Sequence, residues 1–293
     1  MSLLITGAKG FLGEQLVSGN KWVNCKTLDF GGCDYNVDIS SVIPAFNESF
    51  VLVVHTAGKA HTLPRNKQEE EEFYRVNYQG TLNLLKGLST CPQLPSQFIF
   101  ISTVAVYGLE EGEMIDETHP LKGTSAYARS KIMAEEAVQE WAAKNGVPAI
   151  ILRLPLIAGP NAPGNLGHML HAIRKGYYFR IGSGSARRSM VLASDLADFL
   201  PSLKNQTGIY HLTDGIHPSY RELEDYIASY FQKKIRSVPE LLIKTSARLG
   251  DFLPFLPIHS SRLKKLTRTL TFSDQKARKE LNWTSRPVVG NFL

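Results

Sequence analysis

The sequence predicts an α/β protein in which a doubly wound parallel sheet is followed by a smaller C-terminal lobe. Over the first half of the chain, short apolar runs alternate with amphipathic stretches, a pattern typical of parallel sheets covered by helices on both faces. After Leu154 the pattern changes, because proline and glycine crowd the next stretch. We therefore assign residues 1–154 to the sheet domain and residues 155–293 mainly to a substrate-binding lobe, with some segments returning to the first domain.

The predicted elements of the sheet domain alternate between strand and helix. Strands are expected at residues 3–6, 26–30, 51–56, 97–102 and 149–154, and helices at 11–18, 70–88 and 126–145. The last of these helices should end at Gly146, since glycine readily adopts the left-handed conformation that terminates helices. In the second lobe we expect helices at 165–175, 219–232 and 274–281.

Composition and charge exclude several classes of protein. With 43% hydrophobic and 20% charged residues, the chain has the composition of a folded globular protein. No apolar run approaches the roughly 20 residues that cross a bilayer, so we expect no membrane insertion and a cytoplasmic location. The net charge of +6 comes from scattered Lys and Arg without a nucleic-acid-binding motif, so no nucleic-acid partner is expected. The three cysteines lack CxxC spacing, which argues against disulfides and a metal site.

A glycine-rich segment, TGAKGFLG, follows the first predicted strand and directly precedes an amphipathic helix. Glycine lets the backbone turn tightly and approach a pyrophosphate, which the free N–H groups of the helix N-terminus then bind. The position of the segment indicates a Rossmann-type dinucleotide site. The residues expected to contact the cofactor here are Gly7, Gly10, Phe11, Leu12 and Gly13.

Two carboxylates follow the second predicted strand. Asp29 stands at the end of that strand, where it can accept hydrogen bonds from the adenosine ribose, which favours NAD over NADP. Asp29 could instead be a turn carboxylate, and nearby Lys9 could reduce the repulsion of a 2′-phosphate and admit NADP. Asp38 and the adjacent Ile39 are candidates for the adenine end, although Asp38 could equally cap a following helix.

A YxxxK pair lies near the start of the helix predicted over 126–145. Tyr127 and Lys131 are four residues apart and share one helix face, so the ammonium could favour the ionised phenol as a general base. Alone, such a pair is more often solvated surface. The strand over 97–102 delivers Ser102 and Thr103 to the sheet edge where ligands bind, and Thr103 could hydrogen-bond a substrate oxygen or its own backbone.

These motifs stand in the order and spacing of a known family. Over nearly its whole length the chain resembles the extended short-chain dehydrogenases/reductases, the NAD-dependent epimerases and dehydratases. The matching segments are TGAKGFLG, HTAG (55–58), VNYQGTLNLL (76–85), FISTVAVYG (100–108), YARSK (127–131) and RLPLIAGP (153–160).

The resemblance implies roles for further residues. In the cofactor site, Ala57 and Gly58 would line the dinucleotide, Asn77 would hold a water near the nicotinamide, and Pro155 would touch the nicotinamide side. Lys131 would bind the nicotinamide ribose, and Ser102 would also contact the cofactor. The other interpretations are a surface Asn for Asn77 and a chain breaker for Pro155.

The resemblance also implies a substrate. Asn165 and Arg188 would bind the diphosphate of a nucleotide sugar, although Arg188 alone would more often be surface charge. The dehydratases place an Asp-Glu pair where this chain has Val104 and Ala105, so dehydration is not expected. Within the family, the chain resembles the bacterial UDP-N-acetylhexosamine 4-epimerases and 4-ketoreductases. This resemblance implies 4-epimerisation of a UDP-hexose or UDP-N-acetylhexosamine through a 4-keto intermediate, with Thr103, Tyr127 and Lys131 as the catalytic residues.

Two alternatives to this interpretation stay open. The chain could be an NAD(P)H-dependent reductase of 4-keto nucleotide sugars or, less readily, a non-catalytic NAD(P)-binding regulatory protein.

Family members commonly pair through the two long helices, which implies a homodimer. Residues 248–259 could help to shape the sugar pocket.

Overall fold

A seven-stranded parallel sheet forms the centre of the fold. The computed structural model describes residues 2–19, 24–60, 62–240 and 266–293. The strand order is β11-β7-β5-β4-β1-β2-β3, and every neighbouring pair in this sheet is parallel. These strands are β1 (Ser2–Thr6), β2 (Cys25–Asp29), β3 (Tyr35–Asn36), β4 (Phe50–His55), β5 (Gln97–Thr103), β7 (Ala149–Leu154) and β11 (Gly208–Tyr210).

Six short strands form two-stranded pairs outside the central sheet. They are β6 (Gly112–Ile115) with β13 (Leu270–Phe272), β8 (Leu156–Ala158) with β10 (Met190–Leu192), and β9 (Phe179–Ile181) with β12 (Arg236–Val238). The α-helices are α1 (Phe11–Ser18), α2 (Lys67–Phe73), α3 (Gly80–Leu88), α4 (Ala126–Asn145), α5 (Gly164–Lys175), α6 (Ala193–Phe199), α7 (Tyr220–Tyr230) and α8 (Gln275–Leu281). The doubly wound parallel sheet predicted from the sequence is confirmed.

Local sequence explains where helix α4 begins and ends. Ser125 caps its N-terminus by accepting a hydrogen bond from the Ala128 N–H, and Gly146 ends it in the left-handed conformation at φ 65°. The bounds of α4 agree with the prediction. The predicted single helix over 70–88 is wrong in its middle, because a π-helix over Tyr74–Gln79 separates α2 from α3.

The two faces of the sheet carry separate hydrophobic clusters. Consecutive strand residues point to opposite faces, so Ile5 joins the cluster beneath α1, α6 and α8, whereas Leu4 joins the cluster beneath α3 and α4. Trp283 is 1% exposed and packs in the first cluster. Each large buried apolar side chain of this kind stabilises the fold by about 1.5–3 kcal/mol.

The C-terminal part of the chain contributes to both halves of the molecule. β11 pairs with β7 at the edge of the central sheet, and α6 packs against α1. A third hydrophobic cluster joins α5, α7 and the C-terminal residues Val288 and Phe292. Residues 248–259, expected to shape the sugar pocket, lie outside the described residues. Within the described residues, no helix combines the length and the apolarity needed to cross a membrane.

Candidate active site

The glycine turn lies between β1 and α1 and is closed by its own backbone. The Gly10 N–H donates to the Gly7 carbonyl over 3.0 Å. Gly7 has φ +70°, and a Cβ there would lie 2.5 Å from the Ala57 nitrogen. A Cβ on Gly13 would lie 2.0 Å from the Gly7 oxygen. The turn is therefore a backbone cradle that side chains would fill, which fits a bound pyrophosphate.

The two residues after this turn anchor it to the rest of the molecule. Leu12 is buried in the cluster beneath α1, while Phe11 is half-buried and contacts two hydrophobic clusters. A Cβ on Gly159 would lie 3.4 Å from the Phe11 ring. The Phe11 ring thus joins the glycine turn to the chain that follows β8.

Asp29 ends β2 and contacts the glycine turn, whereas Asp38 follows the neighbouring strand β3. The Asp29 carboxylate accepts hydrogen bonds from the Lys9 N–H and the Phe30 N–H, at 2.9 and 2.8 Å. Asp38 accepts from the Ser40 N–H and caps a turn, so the alternative of a helix cap is not realised. Its pKa is lowered, because the Ser40 and Ser41 hydrogen bonds and the Arg75 guanidinium outweigh the effect of burial.

Ile39, the second residue expected at the adenine end, is 6% exposed and packs in the cluster beneath α3. Its carbonyl accepts a hydrogen bond from the Asn83 side chain at 2.8 Å. This bond ties the segment after β3 to α3. Contacts of Asp38 and Ile39 with a cofactor stay predictions.

The structure brings Thr103, Tyr127 and Lys131 together at the carboxyl end of β5. The Thr103 hydroxyl lies close enough to the half-buried Tyr127 phenol to lower its pKa, and it accepts a hydrogen bond from the Ala105 N–H at 3.2 Å. Lys131 is buried, and its ammonium donates to the Ile101 carbonyl at 2.7 Å while lying 4.1 Å from the centroid of the Phe100 ring. All three side chains thus belong to the end of β5 or to the first turns of α4, at the sheet edge where ligands bind in open α/β sheets.

The pKa values of these groups differ from the expectation. We expected Lys131 to lower the pKa of Tyr127, but burial raises it, and the hydrogen bond with Thr103 offsets only part of the rise. Burial also lowers the pKa of Lys131 to about 7, against a smaller raising effect of Glu135. Both shifts have one physical cause, because a low-dielectric surrounding disfavours whichever form is charged.

A short loop after β4 connects the glycine turn with these side chains. Ala57 lies against Gly7, and a Cβ on Gly58 would lie 3.1 Å from the Asn77 Oδ1 and 3.9 Å from the Lys131 Nζ. Asn77 is 1% exposed, so its interpretation as a helix-surface residue is wrong. Its amide nitrogen donates to the Lys59 carbonyl and to the Ser130 hydroxyl, at 3.1 and 2.9 Å. Asn77 thereby joins the loop to α4.

A buried charged network joins β5, α4 and β7 and was not predicted from the sequence. Arg153 and Glu135 are 4% and 1% exposed and form an ion pair at 2.7 Å, and the Ser102 hydroxyl donates to the same carboxylate. Arg153 also donates to the Tyr107 hydroxyl at 3.0 Å. The available signal was a charge inside a buried strand, which requires a partner. A contact of Ser102 with the cofactor stays a prediction.

Asn165 and Arg188, which are expected to bind substrate together with Thr103 and Tyr127, lie in the C-terminal part of the chain. Asn165 is exposed in the first turn of α5, and Arg188 is half-buried with its guanidinium 6.0 Å from the Tyr220 ring. Pro155 is half-buried between β7 and β8. Their contacts with a ligand stay predictions.

The fold and the site together define a dinucleotide-binding enzyme of the extended short-chain dehydrogenase type. Residues 3–206 match the model of the NAD dependent epimerase/dehydratase family. The chain belongs to this family, whose description agrees with the predicted NAD cofactor.

Curated relatives and a solved structure agree with this assignment. A UDP-glucose 4-epimerase of Azospirillum brasilense is 29% identical, covering 91% of this chain and 90% of the relative. An N-acetyl-α-D-glucosaminyl-diphospho-ditrans,octacis-undecaprenol 4-epimerase of Escherichia coli O157:H7 is 27% identical, covering 82% and 74%. The structure of a Thermus thermophilus UDP-glucose 4-epimerase in complex with NAD has the same fold, with a TM-score of 0.73, 21% identity and coverage of 99% and 96%.

Proposed function

We propose that this protein is an NAD-dependent 4-epimerase of a nucleotide-activated hexose, such as a UDP-hexose or UDP-N-acetylhexosamine. The observation that carries the proposal is the convergence of Thr103, Tyr127 and Lys131 on one sheet edge, linked through the Ala57–Gly58 loop to the glycine turn. Val104 and Ala105 stand directly after Thr103, so the site offers no acid-base pair there for removing water from the sugar. Hydride and proton movement are what this arrangement supports.

The side chains of this site divide the proton work between them. The Tyr127 phenol oxygen would take the proton of the 4-hydroxyl and return it after the sugar has presented its other face. The Thr103 hydroxyl, which lowers the pKa of the phenol, would hold the reacting oxygen and stabilise the phenolate. Bound NAD would supply the hydride acceptor and donor at C4. Gly7, Gly10 and Gly13 would hold its pyrophosphate, Asp29 its adenosine ribose, and Lys131 its nicotinamide ribose.

The names of the relatives support the 4-position and a diphosphate link. One curated relative is a UDP-glucose 4-epimerase, and another is a 4-epimerase of N-acetylglucosamine held through a diphosphate on undecaprenol. Both names share a sugar attached to a diphosphate. In this chain the arginine and asparagine proposed for that group are Arg188 and Asn165, and guanidinium geometry suits a diphosphate.

The proposal is tested first on the purified protein without added cofactor. We expect denaturation to release NAD, and the native protein to interconvert the 4-epimers of UDP-glucose or UDP-N-acetylglucosamine without external nicotinamide. Strict dependence on external NAD(P)H and a 4-keto sugar would instead establish a reductase. A parallel assay with prenyl-diphosphate-linked N-acetylglucosamine separates a nucleotide carrier from a lipid carrier.

We also propose a cytoplasmic homodimer that pairs through α3 and α4. The proposal follows the habit of the family and the need of the reaction for nucleotide sugars and NAD. Sedimentation velocity of the purified protein would give twice the chain mass of 32.6 kDa for a dimer. A mass of one chain at micromolar concentration would contradict it.

A further inference from the structure

A buried histidine lies between the glycine turn and the π-helix. His55 is the last residue of β4 and is 1% exposed. Its Nδ1 lies 2.6 Å from the Thr6 hydroxyl, and its Nε2 lies 2.9 Å from the Thr81 hydroxyl. Both threonines are fully buried, so the three side chains form a polar chain inside a hydrophobic surrounding.

The direction of the hydrogen bonds in this chain is fixed at one end. Thr81 lies 2.6 Å from the Asn77 carbonyl, which can only accept, so the Thr81 hydroxyl donates there. Thr81 must then accept from the His55 Nε2–H, which leaves Nδ1 to accept from Thr6. Burial, with a smaller contribution from Lys131, lowers the pKa of His55 to about 3, so the imidazole is neutral at physiological pH.

The two ends of this chain are elements of the proposed cofactor site. Thr6 immediately precedes Gly7, and Asn77 lies in the π-helix and joins Lys59 to Ser130. The main-chain carbonyl of Asn77 is held by Thr81, while its side chain holds the loop and α4. π-helical turns are rare and frequent at functional sites. The imidazole therefore completes a hydrogen-bonded path from the residue before the glycine turn to the Asn77 carbonyl, in addition to the main-chain register that pairs Thr6 with His55.

We propose that His55 is a positioning residue that, through Thr6 and Thr81, holds the glycine turn and Asn77 in the mutual placement that NAD binding requires. The proposal deepens the proposed function and rests on it for the identity of the ligand. An apolar side chain would fill the same space between Phe98 and Phe100, whose ring centroids lie 6.3 and 5.5 Å from that of His55. Every buried donor in such a polar chain needs an acceptor. Here each donor has one, because Thr6 donates to His55, His55 to Thr81, and Thr81 to the Asn77 carbonyl.

The test compares Thr81→Val with Thr81→Ser on the full-length protein freed of cofactor. Valine keeps the shape of threonine but removes the hydroxyl, whereas serine keeps the hydroxyl. We expect Thr81→Val to weaken NAD binding at least tenfold, measured by isothermal titration, and Thr81→Ser to stay within twofold of the unmodified chain. Thr90→Val is the control. Thr90 follows the end of α3, and its hydroxyl donates to the Gly87 carbonyl, so its loss should leave NAD binding unchanged.

A second pair at the other end of the chain protects the test against misfolding. Thr6→Val and Thr6→Ser should repeat the same difference in NAD affinity, and thermal unfolding of each variant reports stability separately. NAD affinities within twofold of the unmodified chain in the folded valine variants would overturn the proposal and leave His55 a structural residue. Because NAD binding is measured without sugar, an unmodified chain that binds NAD but epimerises nothing would contradict the proposed reaction alone.

Discussion

At the residue scale, the environment of Tyr127 decides how the site can work. The phenol is half-buried and lies close to the Thr103 hydroxyl, and its ring is 6.1 Å from the Phe73 ring, measured between centroids. Its pKa is raised, so the resting side chain is a neutral donor. Proton removal from a sugar hydroxyl requires the reverse state, which a cation bound beside the ring would favour. If Tyr127 is the general base of the proposed reaction, a cationic cofactor bound beside it would therefore favour the phenolate.

We predict that Tyr127→Phe abolishes turnover and leaves NAD bound. Loss of a positioned general base reduces a rate by about 100- to 10,000-fold, whereas the ring and its contact with Phe73 are kept. The check is kcat for 4-epimerisation together with the NAD content of the purified variant. Tyr226→Phe on α7 is the control and should be active. A Tyr127→Phe rate within threefold of the unmodified chain would remove this mechanism.

The buried histidines predict how stability depends on pH. Burial lowers the pKa of His55 to about 3 and that of His211 to about 4, both from 6.5. Between the folded pKa and 6.5, each histidine is protonated in the unfolded chain and neutral in the folded one. The unfolding free energy is therefore highest above pH 6.5 and decreases as the pH falls through this window. Each histidine contributes up to about 1.4 kcal/mol per pH unit in that window.

The measurement is urea unfolding between about pH 4 and 7. We expect the pH slope of the unfolding free energy to be shallower in His55→Asn than in the unmodified chain, whatever the absolute stability of the variant. His171→Gln, which replaces an exposed histidine on α5, should keep the original slope. Equal slopes in all three proteins would show that His55 does not titrate in this way.

At the scale of elements, helices whose ends are marked by local sequence signals were predicted with the right bounds. Features that depend on tertiary contacts were not predicted. α1 and α4 have their expected bounds, because glycine and serine mark their ends in the sequence itself. The π-helix depends on Asn77 reaching Lys59 and Ser130, which lie far away in the chain, so no local pattern announces it. The direction of the Ser102 hydroxyl toward Glu135 was hidden for the same reason.

The glycine turn gives a prediction at this scale. In Gly13→Ala the new methyl group would lie 2.0 Å from the Gly7 oxygen, so the turn must open and NAD binding should be lost. Gly146→Ala is the matched control, since it meets nothing within 4 Å and pays only the strain of its φ of +65°. NAD titration and thermal unfolding of both variants provide the check. Retained NAD affinity in Gly13→Ala would refute the assigned role of the turn.

At the scale of the whole molecule, Arg153 joins parts of the chain that are distant in sequence. It lies next to last in β7, pairs with Glu135 of α4, and hydrogen-bonds Tyr107 after β5. The Tyr107 hydroxyl in turn lies 2.7 Å from the His211 Nε2, just after β11. Helix α4 and the segment that follows β11 therefore share one polar centre.

We predict that breaking this centre destabilises the whole fold. Arg153→Met should lower the unfolding free energy by about 3–5 kcal/mol, because it leaves the Glu135 charge buried without its partner. The double variant Arg153→Met, Glu135→Leu should recover much of the loss. Denaturant unfolding monitored by tryptophan fluorescence and by circular dichroism checks both. A single variant as stable as the unmodified chain would contradict the role of the pair.

The two outermost strands of the central sheet are also its shortest. β3 has two residues and β11 has three, while the five strands between them have five to seven. A long exposed edge strand can pair with a strand of another molecule through its free N–H and C=O groups, whereas a short edge strand offers few such groups. The short edge strands of this sheet therefore disfavour fibrillar self-assembly at high concentration, whatever reaction the protein catalyses.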